Sequence, residues 1–547
     1  MKEKIRHLLN QDHQIVLVFY MIMAILLYYK SFGAGLVFDM VDWCINYELY
    51  GFKSLFHPTY DYAVRPVYHF ILYSFWKLFG TDVFYWNLIC LVLHVFNAYL
   101  LYIFLKIFFQ KFIYKKDANK IVAFISSFLF LIAPLNTEAI VWLACMHYLI
   151  TSFCLLSILI LFELYFQKNN RLLFISTFIL YAIAAYSIEL AYSIPLVLSA
   201  YYILFCKDNK SFKSFFKIII FPISIITLSV FIFTKVYYGV WIGHYKLNTS
   251  NFDYLSILSR FLIQFIEYSH ITSFLKYNQK ELIYTFCYNH LVVLFIIFII
   301  ISIGLYTLYT IKSKNNKYTS FIFLFSSTLF LFIPISIQFF WYMTPIIGDR
   351  FHYMVGVFLI PLVVYFFYIF FNKYLSISIL IVYIIASIFL LEKNIYNWNA
   401  SKNIHEKVVN SFRWQNAKRI FVISQANMFN GAYIFGTEDD LKRTMYLTHK
   451  IKNIDFYPIS FYNMNLVTDK ISIEKINDTT LKCSLNQYGN WFWKNMSVGA
   501  VDNNNELFDM QTDKNWGLFI QVSFNDIKEG DVFLYQDGIE LKEFKFK

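Results

Sequence analysis

Residues 83–109 read VFYWNLICLVLHVFNAYLLYIFLKIFF, an apolar run in which Lys106 is the only Lys, Arg, Asp or Glu. A helix rising about 1.5 Å per residue crosses the roughly 30 Å hydrocarbon core in about 20 such residues. The stretch therefore predicts a membrane-spanning helix. Comparable runs lie at 14–30, 120–135, 143–166, 172–188, 190–206, 218–235, 290–311, 319–338, 351–371 and 374–392, which makes about eleven predicted spans. The composition agrees: 59% of the 547 residues are hydrophobic, 15% are charged and the mean hydropathy is +0.51. A soluble globular chain is nearer a quarter charged. A disordered, collagenous or coiled-coil chain is excluded, and so is a soluble multidomain enzyme. The run at 14–30 is too long for a signal-peptide core and has no small-residue cleavage site, so it reads as a retained first helix. The stretches at 66–80 and 253–275 are amphipathic and interrupted by charge, and read as helices lying at the membrane surface.

The formal charge is +12, and its distribution carries the topology. Residues 395–547 hold 18 Lys and Arg against 18 Asp and Glu, so the whole excess belongs to residues 1–394. There the basic residues cluster in short loops: Lys2, Lys4 and Arg6; Lys111, Lys115, Lys116 and Lys120; Lys168 and Arg171; Lys207, Lys210, Lys213 and Lys217; Lys312, Lys314 and Lys317; and Lys373. The alternate loops, 31–82, 135–142, 236–289 and 339–350, are much less basic. The positive-inside rule places the first set in the cytoplasm and the second outside. An odd number of spans then puts residues 395–547 outside, with the N-terminus cytoplasmic. Basic loops of this kind are a topology signal, and no nucleic-acid partner is expected. The seven cysteines show no CxxC or Cys/His zinc spacing, and no disulfide framework is expected.

The predicted division is therefore 1–394, a polytopic helical membrane domain, and 395–547, a small extracytoplasmic domain. In the latter, 396–412 and Asp439–Lys450 read as helical. Ile471–Ile476, Leu481–Leu485, Phe519–Phe524, Val532–Tyr535 and Leu541–Phe546 read as strands, with Asp537-Gly538 as the last hairpin turn. An α+β fold with a β-rich end is expected. The aromatic cluster Trp491-Phe492-Trp493 suits either a β-domain core or stacking on a sugar.

Charged residues at a bilayer boundary are costly and commonly functional. A set of them falls on the predicted outer side. Asp39 and Asp42 follow span one; on a helix they would share a face, where a carboxylate can act as general base or merely cap the helix. Arg65 precedes Pro66, a residue suited to a helix's first turn, and could hold a phosphate or snorkel to the interface. Glu138 is the only charge in the short loop Pro134–Trp142, with His147 about two turns beyond. Glu189 sits in the next outer turn. Asp349, Arg350, His352 and Tyr353 lead into span ten, where Asp349 and Arg350 could simply pair. His94, inside span two, suits helix packing as well as a ligand contact.

Taken in order, these blocks resemble the GT-C superfamily of integral membrane glycosyltransferases. The branch is that of the transmembrane and tetratricopeptide-repeat O-mannosyltransferases and their bacterial relatives. Asp39 and Asp42 stand where that branch has an outer-loop Asp pair, although here they are three apart rather than adjacent. Arg65-Pro66-Val67, then Asn87 and His94, match an Arg-Pro-Leu helix and a following Asn…His segment. Pro134–Trp142 matches Pro-x-x-Thr-Glu-Ala-Val-x-Trp, with Ile140 for Val. Ser187-Ile188-Glu189, with Pro195 in the next span, stands for a Ser-Lys-Glu turn. Asp349–Tyr353 stands for Glu-Arg-x-x-Tyr. Ile188 replaces a lysine, Cys145-Met146-His147 replaces a basic-acidic pair, and the helical repeats are absent.

The resemblance implies a polyprenyl-phosphate-linked sugar as donor, inversion at the anomeric carbon, and a glycan, lipid or protein hydroxyl as acceptor, in the cytoplasmic (inner) membrane. Asp39 or Asp42 would be the base. Arg65, Arg350 and Tyr353 would bind the donor phosphate. Glu138, His147, Glu189, Asp349, His352 and His94 would contact sugar or acceptor, or orient an arginine. No cofactor is certain; some relatives use a divalent metal, which these carboxylates could hold. A lipid-linked glycan transporter or flippase is the alternative from another class, favoured by mid-span charges and internal repeats. A glycan polymerase or ligase is a third.

Overall fold

The structure, a computed structural model, describes residues 11–56, 65–113, 116–206, 211–239, 241, 263, 266–275, 277–293, 296, 304, 316–338, 348–436, 439–485, 492–493, 502–513 and 518–546. Within these the chain is mostly helical with a small β-rich C-terminal region, an architecture compatible with a membrane protein. Six helices are long and apolar enough to cross a membrane: His13–Ser31, Val83–Phe109, Leu143–Lys168, Phe212–Tyr238, Asp349–Phe370 and Lys373–Asn410. Shorter apolar helices cover Arg171–Ala185, Glu189–Phe205 and Tyr318–Phe332. The expected span at 290–311 and the amphipathic stretch at 253–275 lie largely outside the described residues.

The helices that position the site are α1 (Gln11–Tyr28), α2 (Asp39–Tyr50), α3 (Pro66–Phe79), α4 (Val83–Phe109), α5 (Lys116–Leu131), α6 (Thr137–Val141), α7 (Met146–Lys168), α8 (Arg171–Ala185), α9 (Ile194–Phe205), α10 (Tyr277–Asn289), α11 (Tyr353–Phe370), α12 (Lys373–Asn410) and α13 (Asp440–His449). Helix α4 packs against α1, α5 and α7. Its polar side chains are satisfied by neighbouring helices, as an apolar interior demands: Asn97 donates to the Leu149 carbonyl at 2.9 Å, and His94 Nε2 lies 3.0 Å from the Leu131 carbonyl.

Residues 135–142, expected as a short loop, are instead a buried turn and helix. Pro134 has no N–H to donate and disfavours helical backbone before it. Helix α5 therefore stops at Leu131, and the chain bends by 51° into Pro134–Val141. All residues from Pro134 to Val141 are buried. Helix α3 starts at Pro66, as read from the sequence, and is two-faced: Tyr68, His69 and Leu72 are buried while Phe70 and Leu78 are exposed.

The expected division at 394/395 falls inside α12, which runs unbroken for 38 residues. Its last turns carry Ile404, Val408 and Val409 into the core of the β-rich region. Conversely, Tyr433 and Leu447 belong to the core of the helical bundle. The β-rich region is organised on β1 (Arg419–Phe429), which pairs in parallel with Asp455–Pro458 and then Phe461–Met464 on one side, and with Val532–Asp537 on the other. The last strand, Glu540–Phe544, returns antiparallel through a turn at Gly538 (φ +66°), within one residue of the predicted position. A second sheet, with Thr480–Leu485 and Phe519–Phe524 at its centre, is antiparallel. The predicted strands and both predicted helices are present; β1 was not predicted. Phe492–Trp493 pairs with Phe461–Met464, while the side chains of 491–493 lie outside the described residues.

Candidate functional site

The site begins where the chain leaves α1. Asn87 of α4 accepts from the Gly33 N–H at 2.7 Å and donates to the Ala34 carbonyl at 3.2 Å, which pins the loop to the bundle. Gly35 (φ +96°) passes so close to α6 that a Cβ there would sit 2.1 Å from the Val141 carbonyl oxygen; only glycine fits. Phe38 follows with φ +58°, a conformation costing a non-glycine residue about 1–3 kcal/mol. Its ring stacks on Trp142 (5.5 Å) and Tyr433 (5.3 Å), which hold it there. The strained residue turns the chain directly into α2, and Asp39 and Asp42 occupy that helix's first turn as the spacing predicted.

Two arginines face this turn from other parts of the chain, each held by a carboxylate. Arg350, just ahead of α11, pairs with Glu138 of α6. Its Nη1 lies 2.5 Å from Oε1, and its backbone N–H donates to Oε2 at 2.8 Å. Glu138 is fully buried, and the guanidinium also lies over the Trp142 ring at 5.0 Å. Arg65, at the entry to α3, pairs with Glu189 at 3.0 Å. Glu138 and Glu189 are thus arginine partners. Ile188 is buried and apolar.

The two aspartates differ. Asp42 is gripped at both oxygens by Arg443 of α13, Nε to Oδ1 and Nη1 to Oδ2, each at 2.8 Å. Asp39 forms no hydrogen bond or ion pair through its side chain among the described residues. Burial pushes the Asp39 carboxyl up to about 6, against the pull of Arg350, Arg65 and Arg443 and with a further push from Asp440. Burial likewise pushes Asp42 up to about 7, against Arg443, with Asp440, Asp39 and Asp439 adding to it.

The remaining predicted residues fall into three groups. His147 is buried, rests against Tyr68 (4.8 Å), and lies within electrostatic reach of Arg65 and Arg350. Asp349 and His352 join a neighbouring cluster: His352 Nε2 lies 3.3 Å from Glu267, and Asp349 feels Glu138, Glu267 and the buried Lys280 of α10. His94 and Tyr353 meet each other, Nδ1 to hydroxyl at 2.7 Å, and Asn97 donates to the same hydroxyl at 3.1 Å. That places both in a buried network between helices, with the Tyr353 hydroxyl engaged there rather than with the arginines.

Sequence reading missed Arg443, Asp440, Glu267 and Lys280. Asp439-Asp440-x-x-Arg443 has the spacing of an ordinary solvated helix face, and nothing in it signals that Asp440 is buried. Glu267 fell in a stretch read as interfacial. Among the described residues no group of three or more His, Cys, Asp or Glu side chains is arranged to hold a metal ion. Asp42, Glu138 and Glu189 are committed to arginines, which does not suit a divalent cation.

Nearby, an apolar groove of about 350 Å³ opens between α5, α11 and α12, lined by Leu129, Tyr268, Leu359, Val363, Phe367 and Tyr383. The Tyr268 hydroxyl donates to the His352 carbonyl, two residues from Arg350.

No family model, curated protein or solved structure matches the chain.

Proposed function

We propose that the chain is a GT-C-type glycosyltransferase that moves a sugar from a polyprenyl-phosphate donor to a hydroxyl of a glycan, lipid or protein acceptor. The observation that carries this reading is Asp39, a carboxylate without a partner among the described residues, within the field of Arg350 and Arg65. In the proposed reaction Asp39 takes the acceptor's proton as the acceptor oxygen bonds to the anomeric carbon. The bond from that carbon to the phosphate oxygen breaks, its electron pair leaves with the phosphate, and the configuration inverts. Arg350 and Arg65 stabilise the departing charge, and their carboxylate partners fix them before it develops. The apolar groove beside Tyr268 supports a lipid-borne donor, whose tail is costly to withdraw from the bilayer. In this reading buried His147 acts within reach of both arginines, Asp349 and His352 belong to the Glu267 cluster beside Arg350, and His94 supports the helix packing through Tyr353.

In the same proposal eleven helices span the cytoplasmic membrane, the N-terminus is cytoplasmic, and the site and residues 395–547 lie on the extracytoplasmic side. The basic loops support that orientation.

The test is transfer by the purified protein from polyprenyl-phosphate sugars to hydroxyl acceptors, followed against pH. A general base works only when ionised, so turnover is expected to be full well above the Asp39 midpoint and to fall as pH drops through about 6. A rate that stays level from about pH 8 to about pH 5 would contradict Asp39 as base.

A further inference from the structure

We infer that Arg443, on helix α13 of the C-terminal region, is a positioning residue of this site: it anchors Asp42 and offsets its charge, leaving Asp39 as the one free carboxylate of the pair. The anchoring stands on geometry alone; the division of labour rests on the transferase reading above.

The contact is a two-point fork. Both Asp42 oxygens are engaged at 2.8 Å by Nε and Nη1 of one guanidinium, the arrangement in which arginine binds a carboxylate most firmly. Both partners are largely sheltered, at 19% and 13% side-chain exposure, so water screens the pair only weakly. A second ion pair runs alongside it, Lys450 to Glu48 at 3.1 Å, so that α13 is fastened to α2 at two points about 400 residues apart in sequence. Arg443 also stands near two acids of its own helix, Asp440 at 3.5 Å and Asp439 at 3.6 Å.

The charged and titratable groups around the Asp39–Asp42 turn among the described residues include Glu48 on α2, Asp439, Asp440, Arg443 and Lys450 at α13, Arg65 and His69 at α3, Cys145 ahead of α7, and Arg350 ahead of α11. Arg443 is the cation that grips Asp42. Without it, Asp42 would face Asp39, Asp439 and Asp440 with no arginine opposing burial, and would hold its proton to higher pH than it does with Arg443 in place. The C-terminal region on this account completes the site: it supplies the countercharge that lets two nearby acids take different parts.

Carbodiimide labelling tests this without requiring turnover, because the reagent attacks protonated carboxyls. The full-length protein in detergent is labelled with dicyclohexylcarbodiimide across a pH series, and modification of Asp42 and Asp39 is read by peptide mass spectrometry. In Arg443→Gln the Asp42 midpoint is expected to rise by about one pH unit or more from its wild-type position near 7, which is about tenfold more labelling near pH 9, where both proteins are mostly ionised. Arg443→Lys, which keeps a charge but loses the fork, should lie between the two. An Asp42 midpoint unchanged in a folded Arg443→Gln protein overturns the inference. Should that variant fail to fold, an unchanged midpoint in Arg443→Lys overturns it equally. A merely structural contact would lower the melting temperature without moving the midpoint. The two readings separate cleanly: a shifted midpoint in a protein whose wild type transfers no sugar sinks the transferase alone, whereas transfer with an unshifted midpoint sinks the role of Arg443 alone.

Discussion

Asp39→Asn is expected to lower sugar transfer by about 10²- to 10⁴-fold, the usual worth of a general base, while the protein folds as before. Two observations make both halves of that expectation specific. The Asp39 side chain forms no hydrogen bond or ion pair among the described residues, so the amide removes no contact that holds the fold. Burial, moreover, opposes its ionised form, so a neutral isostere relieves a desolvation cost and stability should hold or rise slightly. Asp42→Asn behaves differently, because it breaks the fork to Arg443 and loosens α13 from α2. Initial rates with a polyprenyl-phosphate sugar, alongside melting of each purified variant, separate the two. An Asp39→Asn protein that melts like wild type and transfers at the wild-type rate would remove the proposed base.

The largest loss of stability is expected at Arg350. Arg350→Ala leaves Glu138, which is fully buried, with the backbone N–H of residue 350 in place of a guanidinium and with no countercharge. Removing one partner of a buried pair costs about 3–5 kcal/mol. The cation above Trp142 is lost as well, and that ring supports the strained backbone at Phe38. Transfer should fall with it, since the same guanidinium is proposed to meet the leaving phosphate. Glu138→Gln is the informative companion: it keeps an acceptor for the backbone N–H and the guanidinium, and the cation it leaves unpaired is less enclosed than Glu138, at 13% against 0% exposure, so its cost should be below that of Arg350→Ala. Denaturation of both variants in one detergent checks this, and equal stability of Arg350→Ala and wild type would contradict the buried pair.

The apolar runs made the long helices legible, because a span must be apolar along its length whatever it packs against. Their interruptions were harder. Pro134 announced a break, but the burial of the turn beyond it depends on α4, the turn Asp349–His352 and α12 closing over residues 134–141, a tertiary effect no local pattern encodes. Hairpin strands such as Thr480–Leu485 and Val532–Asp537 could be read from alternation and turn residues. The central strand β1 could not. It is buried on both faces, so it lacks alternation, and its Ser424, Gln425 and Asn427 read as polar breaks although all three are buried.

Much of the site was legible for a related reason. Charges at the ends of apolar helices stand out against their surroundings, and Asp39, Asp42, Arg65, Glu138, Glu189 and Arg350 were all found that way. Which carboxylate serves which arginine was not legible. Arg350 could have paired with Asp349 next to it, and the structure pairs it with Glu138, 212 residues away. Arg443 looked like part of a solvated helix because a charged i, i+3 face is the same sequence whether it meets water or another helix.

Acids and guanidiniums from distant segments are proposed to serve one lipid-borne phosphate. The most direct test is an experimental structure of the protein with a polyprenyl phosphate bound. The expected result has the phosphate against the Arg350 and Arg65 guanidiniums, the tail in the groove beside Tyr268, and the Asp39 carboxylate facing the open side of the phosphate. A phosphate bound against neither arginine, or Asp39 and Arg350 found apart with no shared cavity, would contradict it.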